Sequence, residues 1–287
     1  MANLKEIRSR ITSVGSTMQI TSAMKMVSAA KLKRAQDAIT QMRPYANKLT
    51  ELLENLSASL DSSDGGVYAQ NREVKNVLFV TITSNRGLCG GFNAYVIKRA
   101  KTLINEEYPS ANISILSIGK KSSEHFDKNG FNVVGKHDSL FTDLNFESVS
   151  EVARRIMKQF AGGDYDKVVL IYNQFKNAAT QIVMTEDFLP IQKDQNKEVA
   201  IGDYIFEPTK QEIVDQLIPK SLKTQLFKAI LDSHAAEHGA RMTAMHKATD
   251  NAGELKKELT LTYNKARQAA ITGEILEIVG GAEALNG

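Results

Sequence analysis

Steps of three and four residues, taken alternately from Leu4, land on Leu4, Ile7, Ile11, Val14, Met18, Thr21, Lys25, Ser28, Leu32, Ala35, Ile39, Met42, Ala46, Leu49, Leu53, Leu56 and Leu60 without a slip. Fourteen of these seventeen positions are apolar, a heptad order that predicts one helix of nearly sixty residues with a coiled-coil seam. At ~1.5 Å per residue it would be about 85–90 Å long. Pro44 is expected to kink it, because the ring clashes with the carbonyl one turn earlier. Five prolines and no tryptophan in 287 residues suit such a chain, since each interior proline costs a helix about 3 kcal/mol.

The other end carries a second helical pattern. Thr209 and Glu212 have capping-box spacing, Pro219 is placed to open a helix, and no proline follows. The helix is expected to end near Leu285. Its apolar rows run Leu231, Ala235, Met242, Met245, then Ala248, Ala252, Leu255, Leu259, and last Ile271, Ile275, Ile278, Ala282, Leu285, with the phase slipping between them. Between the two helical regions, β-rich runs at 76–83, 113–118, 167–172 and 181–185 alternate with helical stretches at 93–107 and 147–160. This predicts an α/β fold class: a Rossmann-like domain over 75–208 with a parallel or mixed sheet, flanked by an N-terminal coiled-coil helix, 1–60, and C-terminal helices, 209–287. Residues 61–66 read as the linker leading in and 194–203 as a polar loop leading out.

A domain of ~130 residues is only about 35–40 Å across, too small to cover either terminal helix along its length. The two helices are therefore expected to pair as a long antiparallel coiled coil, bringing Ile11, Val14 and Met18 against residues 255–275. The alternative is two helices folded back into a bundle.

Charge and cysteine content exclude several classes. Thirty-six Lys and Arg against 33 Asp and Glu give +3, too little for a nucleic-acid binder. The distribution is uneven: residues 1–34 hold seven basic residues against Glu6, a local +6. The lone Cys89 excludes an internal disulfide and multi-cysteine metal sites and fits a reducing compartment. No run resembles a secretory signal or approaches the ~20 apolar residues of a membrane span, so no direct membrane insertion is expected.

The Gly-rich stretch Ser84–Gly91 follows a strand and precedes a helix, the setting of phosphate loops. It lacks the Walker lysine and the G-x-G-x-x-G spacing, and Gly119-Lys120 lacks the glycine and hydroxyl a Walker motif needs around it. Tight strand-to-helix turns account for both. Cys89 has no recognisable partner base and reads as a small buried hydrophobe. His234 and His238 have metal-ligand spacing with Glu237 between them, and His246 follows on the same helix, yet no third ligand is defined. No cofactor, metal or catalytic residue is expected.

Two anomalies are more informative. The N-terminal seam turns polar at Thr21, Lys25 and Ser28, while Ile20, Met24 and Val27 form an apolar row about 100° around the helix. The final turns, with Ile271, Ile275, Leu276, Ile278 and Val279, are apolar over most of their circumference, as buried helices are. Gly280 and Gly281, each costing a helix about 1 kcal/mol relative to alanine, suit a close-fitting surround.

Three blocks closely resemble the gamma-subunit family of bacterial F-type ATP synthases: Ile7 to Lys31, Ser84 to Asn93 (SNRGLCGGFN), and Glu237 to Leu285, which contains ARMTAMHKATDNA and LTYNKARQAAITGEILEIV. Asn85 stands where the family usually has Asp. The family's plastid members carry a cysteine-containing regulatory insert, and the lone Cys89 argues against such redox control here.

The resemblance implies a central rotating shaft that couples transmembrane proton flow to ATP synthesis or hydrolysis at partner subunits, and that is not itself the catalyst. The implied partners are three alpha and three beta subunits around one shaft, a small epsilon subunit, and the membrane rotor ring of c subunits, without nucleic acid. The implied location is peripheral, on the cytoplasmic face of the bacterial inner membrane. By the same resemblance, Arg267 and Gln268 form a polar catch to the catalytic subunits, and Met24, Arg241, Met242 and Met245 lie near their acidic lever loops. Ile271 to Leu285, including Ile275, Ile278 and Val279, turn in an apolar sleeve, with Arg8 and Arg10 near it on the opposing helix. Two other classes stay in view. An α/β enzyme would bind nucleotide alone, and a generic coiled-coil scaffold would be a stable homodimer.

Overall fold

A computed structural model describes residues 4–58, 67–191 and 210–286. The helix α1 runs Leu4–Ala58 and α5 runs Lys210–Asn286. Between them come β1 (Asn76–Ile82), α2 (Phe92–Glu106), β2 (Asn112–Ile118), α3 (Lys120–Lys128), β3 (Asn132–Lys136), α4 (Phe146–Ala161), β4 (Lys167–Phe175) and β5 (Gln181–Leu189). The chain divides into two compact units, 29–241 and the pair of segments 1–28 with 242–287. The expected linker 61–66, the loop 194–203 and Thr209 lie outside the described residues.

In the larger unit the described strands form one sheet in the order β3-β2-β1-β4-β5. Pairings among β3, β2, β1 and β4 are parallel and β5 is antiparallel to β4. Parallel strands must be covered on both faces, and the sequence supplies two covers. Leu78, Val80, Ile82, Leu116, Ile118, Leu170 and Tyr172 point to a face roofed by α4 and by the 218–230 stretch of α5. Val77, Phe79, Ile115, Val169 and Ile171 point to the other, roofed by α2 and α3 through Val96, Ala100, Leu103, Ile104 and Phe126. The neighbouring core residues of β1 thus part to opposite layers, as strand alternation requires.

Two sequence expectations change. Pro219 was expected to open a helix, but α5 begins at Lys210 and the proline sits inside it. Ile218 and Leu222 on either side are 5% and 3% exposed, and burying two such side chains, worth about 1.5–3 kcal/mol each, offsets the ~3 kcal/mol of an interior proline. By contrast α1 runs as one helix with Pro44 inside it, as expected, flanked by buried Ile39, Ala46 and Leu49. Finally, α3 and β3 were not anticipated: α3 turns Ser122, Ser123 and Phe126 inward, and the Thr81 and Ser122 hydroxyls meet at 2.5 Å, so its inner face carries little apolar signal.

Candidate functional site

In the smaller unit, α1 and α5 run antiparallel. Thr249 donates to the Thr21 hydroxyl at 2.8 Å, and Lys25 Nζ lies 3.5 Å from His246 Nδ1. A β-carbon on Gly15 would lie 3.7 Å from the Lys256 ammonium, and one on Gly253 3.9 Å from Met18 Sδ. In each of these pairs the two residue numbers total 270 or 271. The register therefore sets Ile11 level with about residue 260, Val14 with about 257 and Met18 with Gly253, as the seam predicted for the first two and just beyond the predicted range for Met18.

The heptad positions of α1 from Leu4 to Leu49 are each buried or half-buried, including the polar Thr21, Lys25 and Ser28. On α5 the matching seam is Met245, Thr249, Ala252, Lys256, Leu259, Tyr263 and Ala266. This corrects the apolar row drawn through Leu255, which is 46% exposed. The slip lies in the chemistry and not in the geometry, since Thr249 and Lys256 keep the spacing with polar side chains. The out-of-phase row does face outward: Ile20 and Val27 are 59% and 57% exposed, with Met26 beside them at 64%, and Met24 is half-buried.

Continuing the register places Leu4, the first described residue of α1, level with about residue 267. The last roughly 20 residues of α5, about 30 Å at 1.5 Å per residue, thus run past the first described residue of α1. Ile271, Ile275, Leu276, Ile278 and Val279 are 48–71% exposed there, and apart from the local helix backbone and chain neighbours no described atom lies within 4 Å of a β-carbon built on Gly273, Gly280 or Gly281. Arg267 and Gln268 are exposed at the start of this overhang. The Leu285 side chain is outside the described residues. Arg8 and Arg10 are exposed on α1, with Arg10 3.3 Å from Glu6.

In the larger unit the Ser84–Gly91 turn is held by side chains. Asn93 Oδ1 accepts from Ser84 N at 2.9 Å, and Arg241 donates to the carbonyls of Arg86 and Gly87 at 3.0 and 3.4 Å. Arg241 is itself buried and paired with Glu237 at 2.6 Å, while burial pushes the Glu237 carboxyl up despite that partner. Asn85 donates to the Asp138 carbonyl at 2.8 Å and accepts from Lys120 N at 3.1 Å. An aspartate there would keep the second bond and lose the first. Leu88, at φ 62°, is strained into the left-handed region and 65% exposed. Cys89 is buried and burial raises its thiol pKa. The His234 and His238 Nε2 atoms are 3.1 Å apart, so each ring is the other's hydrogen-bond partner, and the His234 ring stacks on Phe141. Burial lowers their pKa values to about 4 and about 3.

Of the residues singled out from the sequence, Arg8, Arg10, Arg267, Gln268, Ile275, Ile278 and Val279 are exposed, Met24 and Met242 are half-buried, and Arg241 and Met245 are buried. What sequence reasoning missed is the clamp of Arg241 onto the Arg86 and Gly87 carbonyls. Main-chain acceptors leave no sequence signal.

A helical pair in which α5 runs on past the first described residue of α1, with exposed apolar side chains, is the pattern of a stalk-forming subunit. The comparisons agree. The ATP synthase family model matches residues 3–285. The ATP synthase gamma chain of Flavobacterium johnsoniae is 65% identical over the whole of both chains, and that of Cytophaga hutchinsonii 54%. Among solved structures, the fold matches a chain of the central stalk and c-ring of the Tetrahymena thermophila mitochondrial ATP synthase, with TM-score 0.62 and 26% identity over 80% of this chain and 99% of that one. A chain of the Euglena gracilis mitochondrial ATP synthase rotor shares the fold, with TM-score 0.69 and 20% identity over 93% and 98%. The chain belongs to the ATP synthase gamma chain family.

Proposed function

We propose that this chain is the central stalk of an F-type ATP synthase, turning within a head of three alpha and three beta subunits and standing, with an epsilon subunit, on a c-ring. The observation that carries this is the overhang of α5. Five large apolar side chains there are 48–71% exposed, and full burial would stabilise each by about 1.5–3 kcal/mol. An enclosing sleeve supplies that burial and a solvated helix end does not.

Rotation couples the sites because the stalk presents a different side to each catalytic subunit, and a ligand or surface shifts a conformational equilibrium by its differential affinity for the two states. Ile275, Ile278, Val279 and Leu285 bear on the sleeve, with Arg8 and Arg10 near its mouth. Arg267 and Gln268 form the polar catch below. Met24 and Met242 meet the acidic lever loops, and Arg241 and Met245 act from beneath that surface, one bracing the Ser84–Gly91 turn and the other filling the helix seam. Phosphoryl transfer belongs to the partner subunits. No described helix is long and apolar enough to cross a membrane; in this reading the chain is held at the cytoplasmic face of the inner membrane through its partners.

The test is single-molecule rotation of a bead fixed to this chain in the reconstituted head. ATP-driven rotation in 120° steps is expected, and removal of residues 275–287 should weaken torque. A complex that assembles and hydrolyses ATP at full rate with the bead stationary would refute the reading.

A further inference from the structure

The outer faces of α2 and α3 frame an open groove of about 690 Å³. Ala94 and Ile97 give it an apolar lining, and lysines stand on both sides: Lys98 and Lys101 on α2, Lys121 and Lys128 on α3. One acid in its lining, Glu124, is already engaged by Lys121 at 2.6 Å and by Lys120 at 3.8 Å, and it also feels the more distant Lys128 charge. Glu106 lines the groove as well, but Lys98, Lys101 and Lys128 make no ion pair with a described residue. Lys98 and Lys101 are three apart on one helix, a like-charge spacing that disfavours the helix unless something neutralises it. His125, also lining the groove, feels the same field: burial and then the Lys101 cation hold its pKa down.

We propose that this groove docks a carboxylate-rich amphipathic segment of a partner protein, with acids on the three unpaired lysines and an apolar side chain against Ala94 and Ile97. The proposal rests on the reading of the chain as one member of an assembly. Charge complementarity selects the partner's sign, and the apolar lining selects a peptide over a small anion. A phosphate site would want free amides, yet the first turn of α3 has none to give. Lys120 N is taken by Asn85, Lys121 N by the Ser84 carbonyl and Ser122 N by the Thr83 hydroxyl.

The experiment compares lysine acetylation rates in the isolated chain and in the assembled complex, followed by water-soluble carbodiimide coupling of the complex and mass mapping. Lys98, Lys101 and Lys128 should acetylate about tenfold more slowly after assembly, equivalent to ~1.4 kcal/mol of protection. At least one should couple to an Asp or Glu of another subunit, and coupling should fall in high salt. Lys98→Glu/Lys101→Glu should remove the protection of Lys128, and Lys98→Gln/Lys101→Gln should weaken it. Equal acetylation rates in both states would overturn the proposal. So would equal protection of the isolated chain by tripolyphosphate, which would mark a small-anion site. Hydrogen exchange of residues 275–284 in the same samples reports the stalk reading separately, so a protected tail with unprotected lysines sinks the groove alone.

Discussion

Breaking the ion pair between Arg43 and Asp232 should have an effect that depends on which partner is removed. Arg43, on α1, donates to Asp232 Oδ1 at 2.7 Å and to the Phe175 carbonyl at 2.8 Å. The Asp232 side chain is 0% exposed and that of Arg43 37%. Arg43→Met leaves a carboxylate buried without its counter-ion, which costs about 3–5 kcal/mol. Asp232→Asn leaves a guanidinium that still reaches the Phe175 carbonyl and water, so the cost should be nearer 1–2 kcal/mol. The double variant should cost less than the two singles together, with a coupling of about 2 kcal/mol. Burial already holds the Asp232 carboxyl above its usual pKa, and losing Arg43 should raise it further. The folded state of Arg43→Met then binds the extra proton, so this variant should be less impaired at pH 5 than at pH 8. Urea denaturation followed by hydrogen exchange of the β1 and β4 amides reports the sheet rather than the long helices. Additive single costs, or an Asp232→Asn as damaging as Arg43→Met, would refute the reasoning.

The His234–His238 pair should make the larger unit acid-sensitive. Unfolded histidines titrate near 6.5 and these near 4 and 3, so below about pH 6.5 the unfolded chain holds more protons and stability falls with pH. The loss at pH 5 should be about 4 kcal/mol, and His234→Gln/His238→Gln should flatten that slope in urea melts at several pH values. Gly119→Ala should cost more than about 2 kcal/mol, because φ is 102° and a β-carbon would run into the Thr83 carbonyl. It should appear as a melting temperature several degrees lower. Gly280→Ala and Gly281→Ala, in open space, should each stabilise the tail helix by about 1 kcal/mol and slow its hydrogen exchange in the isolated chain, while slowing rotation in a close-fitting sleeve. Met24→Lys should lower proton pumping per ATP hydrolysed without lowering the melting temperature, since an ammonium ~4 Å from a carboxylate gains about 4 kcal/mol at an effective dielectric of 20.

The α1 seam was legible in the sequence because a coiled coil imposes one spacing on every contact, and fourteen apolar residues mark it. The α5 seam obeys the same spacing but carries Thr249 and Lys256, so counting apolar residues drew it through Leu255 instead. Strands β1, β2 and β4 were legible as short apolar runs, buried on both sides. By contrast, α3 was hidden because it seals its inner face with serine hydroxyls, and β3 because its five residues include Gly135 and reach no fully buried position. At the candidate site, exposed apolar residues where solvent should favour polar ones were visible in advance. The Arg241 clamp and the Lys98–Lys128 groove were not, since both depend on elements brought together by the fold and leave no local pattern.

The unequal reach of the described parts of α1 and α5 also has a mechanical meaning. Two rods joined side by side resist bending in their common plane far more than either alone, because stiffness grows with the square of the distance between them. Among the described residues that bracing reaches to Leu4 of α1, and α5 continues for about 30 Å beyond that level. A sideways load on the tip is therefore taken up as elastic flexure in this last stretch, while the braced part stays straight. The tip can follow a slightly off-centre bearing without transmitting the wobble downward.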